Sequence, residues 1–151
     1  MSEETIQRYV ETIFELEKKS GAQKRIHNKQ IAEALEIKEA SVTEMLQRLE
    51  GENLINYQPY RGVLLTDKGL ELGKKLHRRH RILAGFFKSL GVDSQTAETD
   101  ACRIEHVVND KTINKLSSFV DFIENTTDFH QTLQHFRHYD STGEFLCDAD
   151  S

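Results

Sequence analysis

The stretch that decides the fold is Leu54-Ile55-Asn56-Tyr57-Gln58-Pro59-Tyr60-Arg61-Gly62-Val63-Leu64-Leu65. Both of its ends are short runs rich in aliphatic and aromatic residues, which favour β-strands. Pro59 lies at the second position of the four residues between them, where its fixed φ angle suits a tight turn. The stretch therefore predicts a β-hairpin, and the residues before it decide which kind of domain contains that hairpin.

Two short helices are predicted directly before the hairpin. Asn28 can cap the first helix, and the helical phase then breaks, because continuing it would place Lys38 and Glu39 in the core. A turn at residues 36–38 between two steeply angled helices explains the pattern better. The residues that would pack such a helix-turn-helix together are Ala32, Ile37, Val42 and Met45. With a hairpin after its second helix, this arrangement is a winged helix.

A winged helix binds double-stranded DNA through its second helix, the recognition helix. The predicted contacts on this helix and at its start are Lys38, Ser41, Thr43, Glu44, Gln47 and Arg48. The predicted contacts on the wing are Tyr57, Tyr60 and Arg61. Gln and Arg can read base edges, whereas hydroxyl groups and a basic wing mainly hold the phosphate backbone.

The distribution of charge fits a polyanion-binding module joined to a second part. The net charge of −5 divides into −2 for residues 1–23, +4 for residues 24–81 and −7 for residues 82–151. The basic middle includes the run Lys74-Lys75-Leu76-His77-Arg78-Arg79-His80-Arg81, which predicts a solvated helix face or further phosphate contacts.

A second informative stretch is Asp100-Ala101-Cys102-Arg103-Ile104-Glu105-His106. As a helix it places Cys102, Glu105 and His106 at positions i, i+3 and i+4, on one face, with Glu98 one turn earlier. Thiolate, carboxylate and imidazole groups are the side chains that bind divalent metals. The plainer alternative makes Cys102 a small buried apolar residue and Glu105 with His106 a surface pair.

The remaining pattern predicts a mainly α chain in three parts. Thr66 can cap a long helix from Asp67 to about Leu90, and further helices contain the Cys102 stretch and residues 111–124. Their apolar surface exceeds what one small module can bury, which predicts a homodimer. We assign residues 1–70 to the winged helix, residues 71–125 to a helical metal-binding and dimerisation domain, and residues 126–151 to a weakly structured or loosely helical tail.

Composition narrows the setting of the protein. The chain has a single Pro, 30% charged residues and only two cysteines, without paired spacing. This balance is typical of a helical protein of the cytoplasm, where thiols stay reduced. No run approaches the roughly 18 apolar residues of a membrane span, so no membrane association is predicted.

Five motifs, taken in order, resemble the diphtheria-toxin-repressor family of iron- and manganese-dependent transcriptional regulators. They are Tyr9-Val10-Glu11-Thr12-Ile13-Phe14-Glu15-Leu16, Gln30-Ile31-Ala32-Glu33-Ala34-Leu35, Arg61-Gly62-Val63-Leu64-Leu65-Thr66-Asp67-Lys68-Gly69, Arg79-His80-Arg81 and Ala101-Cys102-Arg103-Ile104-Glu105-His106. The family fold is a winged helix followed by a helical metal-binding and dimerisation domain. The chain resembles the short form, which lacks a third β-barrel domain.

The resemblance implies a set of metal ligands. Cys102, Glu105 and His106 match the family's ligands in the central helix, His80 matches a ligand in the long helix, and Glu11 matches one of the manganese-sensing branch. Glu98 lies where some iron sensors have an ancillary ligand, although Ala84 replaces another ligand of that ancillary site. Because a thiolate is softer than the Glu of manganese sensors, Fe²⁺ is the favoured metal and Mn²⁺ the next, with Zn²⁺ and Co²⁺ able to bind in vitro.

Arg8 departs from the family pattern, which has a Met or Asp ligand at this position. A guanidinium group has no free lone pair and cannot coordinate a cation. The site then has fewer protein ligands, or Arg8 stands in for the metal's charge beside Glu11 or Glu105, or metal control has changed.

The function implied is that of a repressor of metal-homeostasis genes. Metal between the first and central helices would set the two recognition helices of a dimer about 34 Å apart, to match palindromic operator DNA. One alternative is a constitutive DNA-binding protein with a degraded metal site. A metal-dependent hydrolase is a different class, but it leaves the basic winged module unexplained, so we expect no enzyme.

Overall fold

Helices form most of the chain, as the sequence predicts. The computed structural model describes residues 2–21 and 23–146. In chain order the elements are α1 (Glu3–Ser20), α2 (Asn28–Leu35), α3 (Glu39–Gly51), β1 (Ile55–Gln58), β2 (Gly62–Leu65), α4 (Asp67–Ser89), α5 (Ser94–Ile104), α6 (Asp110–Glu124) and α7 (Phe129–Thr142). The chain divides into two compact units, an N-terminal unit of residues 1–78 and a C-terminal unit of residues 79–151, and the boundary between them falls within α4.

The helix-turn-helix is formed by α2 and α3. Glu36, directly after α2, has the left-handed conformation with φ +56° and ψ 43°, and the Ile37 amide donates to the carbonyl of Ala32 over 3.0 Å. A left-handed residue commonly ends a helix, and Gly is the usual choice there. Two details of the prediction are wrong. Ile37 is 39% exposed rather than packed inside, and the residue that caps α2 is His27 rather than Asn28.

The predicted hairpin forms the wing. Strands β1 and β2 pair antiparallel, from Ile55 opposite Leu65 to Gln58 opposite Gly62. Ile26 forms an additional bridge with Val63 through two backbone hydrogen bonds of 2.8 and 2.9 Å. Gly62 is required at this crossing, because its φ is +103° and a Cβ atom would lie 2.5 Å from the carbonyl oxygen of Ile26. The wing is therefore held at its base by the segment before α2.

A single apolar core holds the N-terminal unit together. Helix α1 contributes Val10 and Ile13, and α3 contributes Leu46 and Leu49, all without exposed surface. The other buried members of this core are Ile6, Tyr9, Ile26, Ile31, Ala32, Val42, Met45, Leu54, Ile55 and Val63. Burial of apolar surface on this scale fixes the orientation of the recognition helix against α1 and the wing.

The C-terminal unit has a smaller core. The side chain of Asp93 caps α5 and that of Asn109 caps α6. The buried apolar residues that form its core cluster are Leu83, Ala84, Ala101 and Ile113. Residues 129–142 of the predicted tail form α7, which has no buried residue. Residues 147–151 of the predicted tail lie outside the described residues. Among the helices that the structure describes, none is both long and apolar enough to cross a membrane.

Candidate nucleic-acid interface and metal centre

The exposed face of the recognition helix α3 carries four of the nine predicted DNA contacts. Ser41, Glu44, Gln47 and Arg48 are exposed, and Arg48 lies 3.6 Å from Glu52 in an exposed ion pair. Such a pair contributes little to stability, so the guanidinium can exchange the carboxylate for a base edge or a phosphate. Lys38, Tyr60 and Arg61 are also exposed.

A groove of about 520 Å³ lies between α3 and the wing. Four of the predicted DNA contacts line this groove, namely Thr43, Gln47, Tyr57 and Tyr60. The structure adds His27, Asn28 and Lys29, which sequence reasoning missed because they precede or begin α2. Lys38, Ser41, Glu44, Arg48 and Arg61 are outside the lining of this groove.

Asn28 connects the parts of this interface. Its side-chain amide donates to the hydroxyl of Thr43 over 3.0 Å and to that of Tyr57 over 3.5 Å. The bonds join α2, α3 and β1 through polar side chains, which gives Asn28 a positioning role in place of the predicted capping role. A polar residue between two helices and a strand was the signal available in the sequence, but only the tertiary structure identifies its partners.

Within the C-terminal unit, four of the predicted metal ligands form a contact cluster, which we call the His80 cluster: His80, Glu98, Glu105 and His106. His80 Nδ1 lies 2.8 Å from Glu105 Oε2, and His80 Nε2 lies 2.5 Å from Glu98 Oε2. His106 Nε2 lies 3.2 Å from the other oxygen of Glu105. The side chains of Glu105 and His106 have no exposed surface. The alternative in which these two residues form a surface pair is therefore wrong.

The carboxylates control the charge of His80. The hydrogen bond from His80 to the carboxylate of Glu105, with the help of Glu98 and against the opposing effect of burial, raises the pKa of His80 to about 9. Lys88 donates to Glu98 and, together with His80, lowers the pKa of Glu98 below its usual range. Both ring nitrogens of His80 thus lie within hydrogen-bond distance of a carboxylate, which favours the protonated imidazole.

Arg79 supports the segment that contains Glu105 and His106. It is 8% exposed, its Nη1 donates to Asp110 Oδ1 over 3.0 Å, and its Nη2 donates to the carbonyl of Val108. These bonds connect α4 to the loop after α5 and to the first residue of α6. Although the basic run of residues 74–81 predicted a solvated face, Arg79 is a buried clamp.

Cys102 differs from its predicted neighbours. It is exposed on α5, although Glu105, three residues later, is fully buried. The alternative in which Cys102 is a small buried apolar residue is therefore wrong, and its role as a ligand stays a prediction. Glu11 lies half-buried on α1 of the N-terminal unit, and its role as a ligand also stays a prediction.

The His80 cluster fits a divalent metal ion. Among the residues that the structure describes, Glu105 Oε1 is buried and makes no hydrogen bond, although His106 Nε2 lies 3.2 Å away. A buried carboxylate oxygen in this state is costly unless a cation or donor satisfies it. Two imidazoles and two carboxylates form a donor set for divalent transition metals. A metal bound here would be held by His80, Glu105 and His106, with Glu98 available once it leaves Lys88.

A winged helix joined to a helical unit with such a cluster defines the class of metal-responsive DNA-binding proteins. Comparison with known families agrees with this class. The family model described as "Iron dependent repressor, N-terminal DNA binding domain" matches residues 1–63, and the model described as "Iron dependent repressor, metal binding and dimerisation domain" matches residues 66–133. The chain belongs to the iron-dependent repressor family, whose members are transcriptional regulators and not enzymes. Membership in this family sets aside the hydrolase alternative.

Individual relatives are also transcriptional regulators by name. The chain is 35% identical over 124 residues to the HTH-type transcriptional regulator MntR of Bacillus subtilis, a match that covers 82% of this chain and 85% of the relative. It is 34% identical over 119 residues to an HTH-type transcriptional regulator of Methanocaldococcus jannaschii, with 78% and 94% covered.

Solved structures share the fold. The manganese regulator SloR matches with a TM-score of 0.65 and 31% identity, and the metal-dependent transcriptional regulator MtsR with a TM-score of 0.69 and 30% identity. Each match covers 78% of this chain but only 54% of the solved chain, so the chain spans about half the length of these two proteins.

Proposed function

We propose that the chain is a metal-activated transcriptional repressor that binds palindromic operator DNA as a homodimer. The observation that carries this proposal is the His80 cluster, in which Glu105 is fully buried between two histidines. A buried cluster of this kind, in a chain that also has an exposed recognition helix, supports control of DNA binding by metal. Metal would act by raising the fraction of protein in the DNA-competent state.

Exposed aromatic residues in the C-terminal unit support the dimer. Phe119 is 50% exposed and Phe122 is 69% exposed on α6, and Phe136 on α7 is 37% exposed. A nearly apolar groove of about 210 Å³ lies between the end of α4, α6 and α7. Apolar surface of this kind is typical of interfaces between subunits.

Mn²⁺ is the better-supported activating metal, and Fe²⁺ is the alternative. The carboxylate oxygens of the His80 cluster suit Mn²⁺, while its imidazoles also suit Fe²⁺. Two similar solved structures, SloR and ScaR, are manganese regulators by name. The sequence favoured Fe²⁺ because of the thiol of Cys102. If Cys102 is a ligand, Cys102→Glu should shift activation towards Mn²⁺, and Cys102→Ala should weaken Fe²⁺ binding more than Mn²⁺ binding.

The test begins with selection of a duplex from a random DNA library by the full chain in the presence of Mn²⁺. Fluorescence anisotropy then measures binding of that duplex with Mn²⁺, Fe²⁺ under anaerobic conditions, Zn²⁺ or a chelator. We expect metal to tighten binding at least tenfold in the parent and in Asp140→Asn, an exposed charge control on α7. Glu105→Gln should lose this response.

Two outcomes would contradict the proposal. Equal affinity with metal and with chelator would mean a constitutive DNA-binding protein, and failure to enrich any duplex would remove DNA as the partner. Sedimentation of the same samples tests the dimer, because a monomer at micromolar concentration with metal would contradict that part of the proposal.

A further inference from the structure

Arg8 lies beside the recognition helix. It is exposed on α1 and lines a groove of about 380 Å³ in the N-terminal unit. The opposite side of this groove is formed by Ser41 and Glu44 of α3, and Ile37 from the turn before α3 also lines it. Ile37, which the sequence predicted to be packed inside, is instead exposed and lines this groove.

The recognition helix thus has a groove along each of its sides. Thr43 and Gln47 line the groove on the wing side, while Ser41 and Glu44 line the groove on the α1 side. The exposed face of α3 lies between them. An α-helix with its side chains is about 10–12 Å wide, and the major groove of DNA is about 12 Å wide. A helix seated in the major groove therefore has one phosphate backbone on each side, and each protein groove faces one DNA strand.

Each groove has one cationic and one acidic side chain in its lining. In the wing-side groove these are Lys29 and Glu39, together with polar side chains that can hold a phosphate. In the α1-side groove Arg8 is the one basic side chain among the lining residues, all of which the structure describes, and Glu44 is acidic. A phosphate that passes Glu44 is repelled unless a cation lies nearby. Arg8 is placed to supply that cation, and its planar guanidinium suits the geometry of a phosphate.

We propose that Arg8 binds a backbone phosphate of the operator strand that passes on the α1 side of the recognition helix. The proposal rests on the proposed function, because it requires that α3 enters the major groove. The family resemblance places a metal ligand at position 8, and the present proposal assigns a phosphate contact to that position instead. A contact of this kind adds affinity for every sequence alike and adds no base preference.

The test measures how DNA affinity depends on salt, with the duplex selected by the parent protein and with a second duplex of unrelated sequence, both in saturating Mn²⁺. Each phosphate contact contributes a slope of about −0.9 in a plot of log K against log salt. Arg8→Gln should reduce the slope by about 1 on both duplexes and weaken binding about fivefold at 0.15 M salt. Arg8→Lys keeps the charge and should retain most of the slope.

The matched control is Lys19→Gln, which removes one exposed basic charge from the last turn of the same helix, outside the lining of the α1-side groove. It should leave the slope unchanged. Metal affinity, measured by competition with a chelating dye, should be equal in the parent and in Arg8→Gln. The phosphate contact would be overturned by an unchanged slope in Arg8→Gln, whether or not metal binding became tighter. A parent that enriches no duplex would instead overturn the proposed function, and the phosphate contact with it.

Discussion

The two units of this chain are stabilised in different ways. Among the described residues, the N-terminal unit has a core cluster of fourteen buried apolar residues, whereas the cluster of the C-terminal unit has four. The two buried charged residues of the described chain, Arg79 and Glu105, both belong to the C-terminal unit. Burying a charge is costly unless it is paired. The DNA-binding unit is therefore preformed by apolar packing, while the C-terminal unit depends on polar contacts and, in our proposal, on metal and a second subunit.

The largest effect is expected in the core of the N-terminal unit. Leu46 on α3 has no exposed surface, and replacing a buried Leu by Ala costs about 3–5 kcal/mol. Leu46→Ala should therefore reduce the protection of α1, α2 and α3 against hydrogen exchange. Mass spectrometry of peptides from both units measures this effect. Equal loss of protection in α5 and α6 would mean that the two units unfold together. It would contradict the view that the two units are stabilised in different ways.

A smaller loss of stability is expected when the hydrogen bonds of Arg79 in the C-terminal unit are removed. Arg79→Met keeps much of the side-chain volume but removes the bonds to Val108 and Asp110. Loss of hydrogen bonds to a charged group, with a carbonyl left unpaired, should cost about 2–3 kcal/mol. Exchange protection should fall in residues 105–113 and remain unchanged in α3. The exposed neighbour Arg81 supplies the control, Arg81→Met, which should leave both regions unchanged.

Metal should stabilise the C-terminal unit more than the N-terminal unit. At ten times its dissociation constant, a metal that binds only the folded state adds about 1.4 kcal/mol. We expect Mn²⁺ to raise exchange protection around His80, Glu105 and His106, and not in β1 and β2. Glu105→Gln changes the metal-free stability as well, so the quantity to compare is the increment caused by metal. An increment of the same size in the variant would mean that Glu105 is not a ligand.

The sequence predicted the elements better than it predicted the environment of single residues. Periodicity and turn residues located the hairpin, the two helices before it and the long helix after Thr66, because these depend on local preferences and on one buried face. The exposure of Ile37 and the burial of Arg79 depend on which surfaces meet, and no local pattern contains that information. The motif at residues 101–106 likewise indicated metal chemistry, but it did not reveal that Cys102 is exposed while Glu105 is buried.

The smallest effect concerns the one acidic side chain that bonds the wing to α1 in the described contacts. Glu17 Oε1 accepts a hydrogen bond of 2.7 Å from the amide of Leu65. Burial raises the pKa of Glu17, and the bond from Leu65 only partly opposes this shift. A carboxyl whose folded pKa lies above its unfolded value stabilises the fold fully below the unfolded pKa, and this contribution is lost as the pH rises through the folded pKa.

Glu17→Gln keeps an oxygen for the Leu65 amide and removes the titration. The variant should therefore gain stability relative to the parent as the pH rises from the acid range to neutrality, by less than about 1 kcal/mol because the site is only half-buried. Urea unfolding at pH 4 and at pH 7, followed by circular dichroism, measures the difference. A gain at pH 4 that disappears at pH 7 has the opposite sign, and it would mean that the bond to Leu65 outweighs the cost of burying the charge. The wing would then be held by an ionic bond, and the contrast between an apolar N-terminal unit and a polar C-terminal unit would be weaker than the burial of their residues indicates.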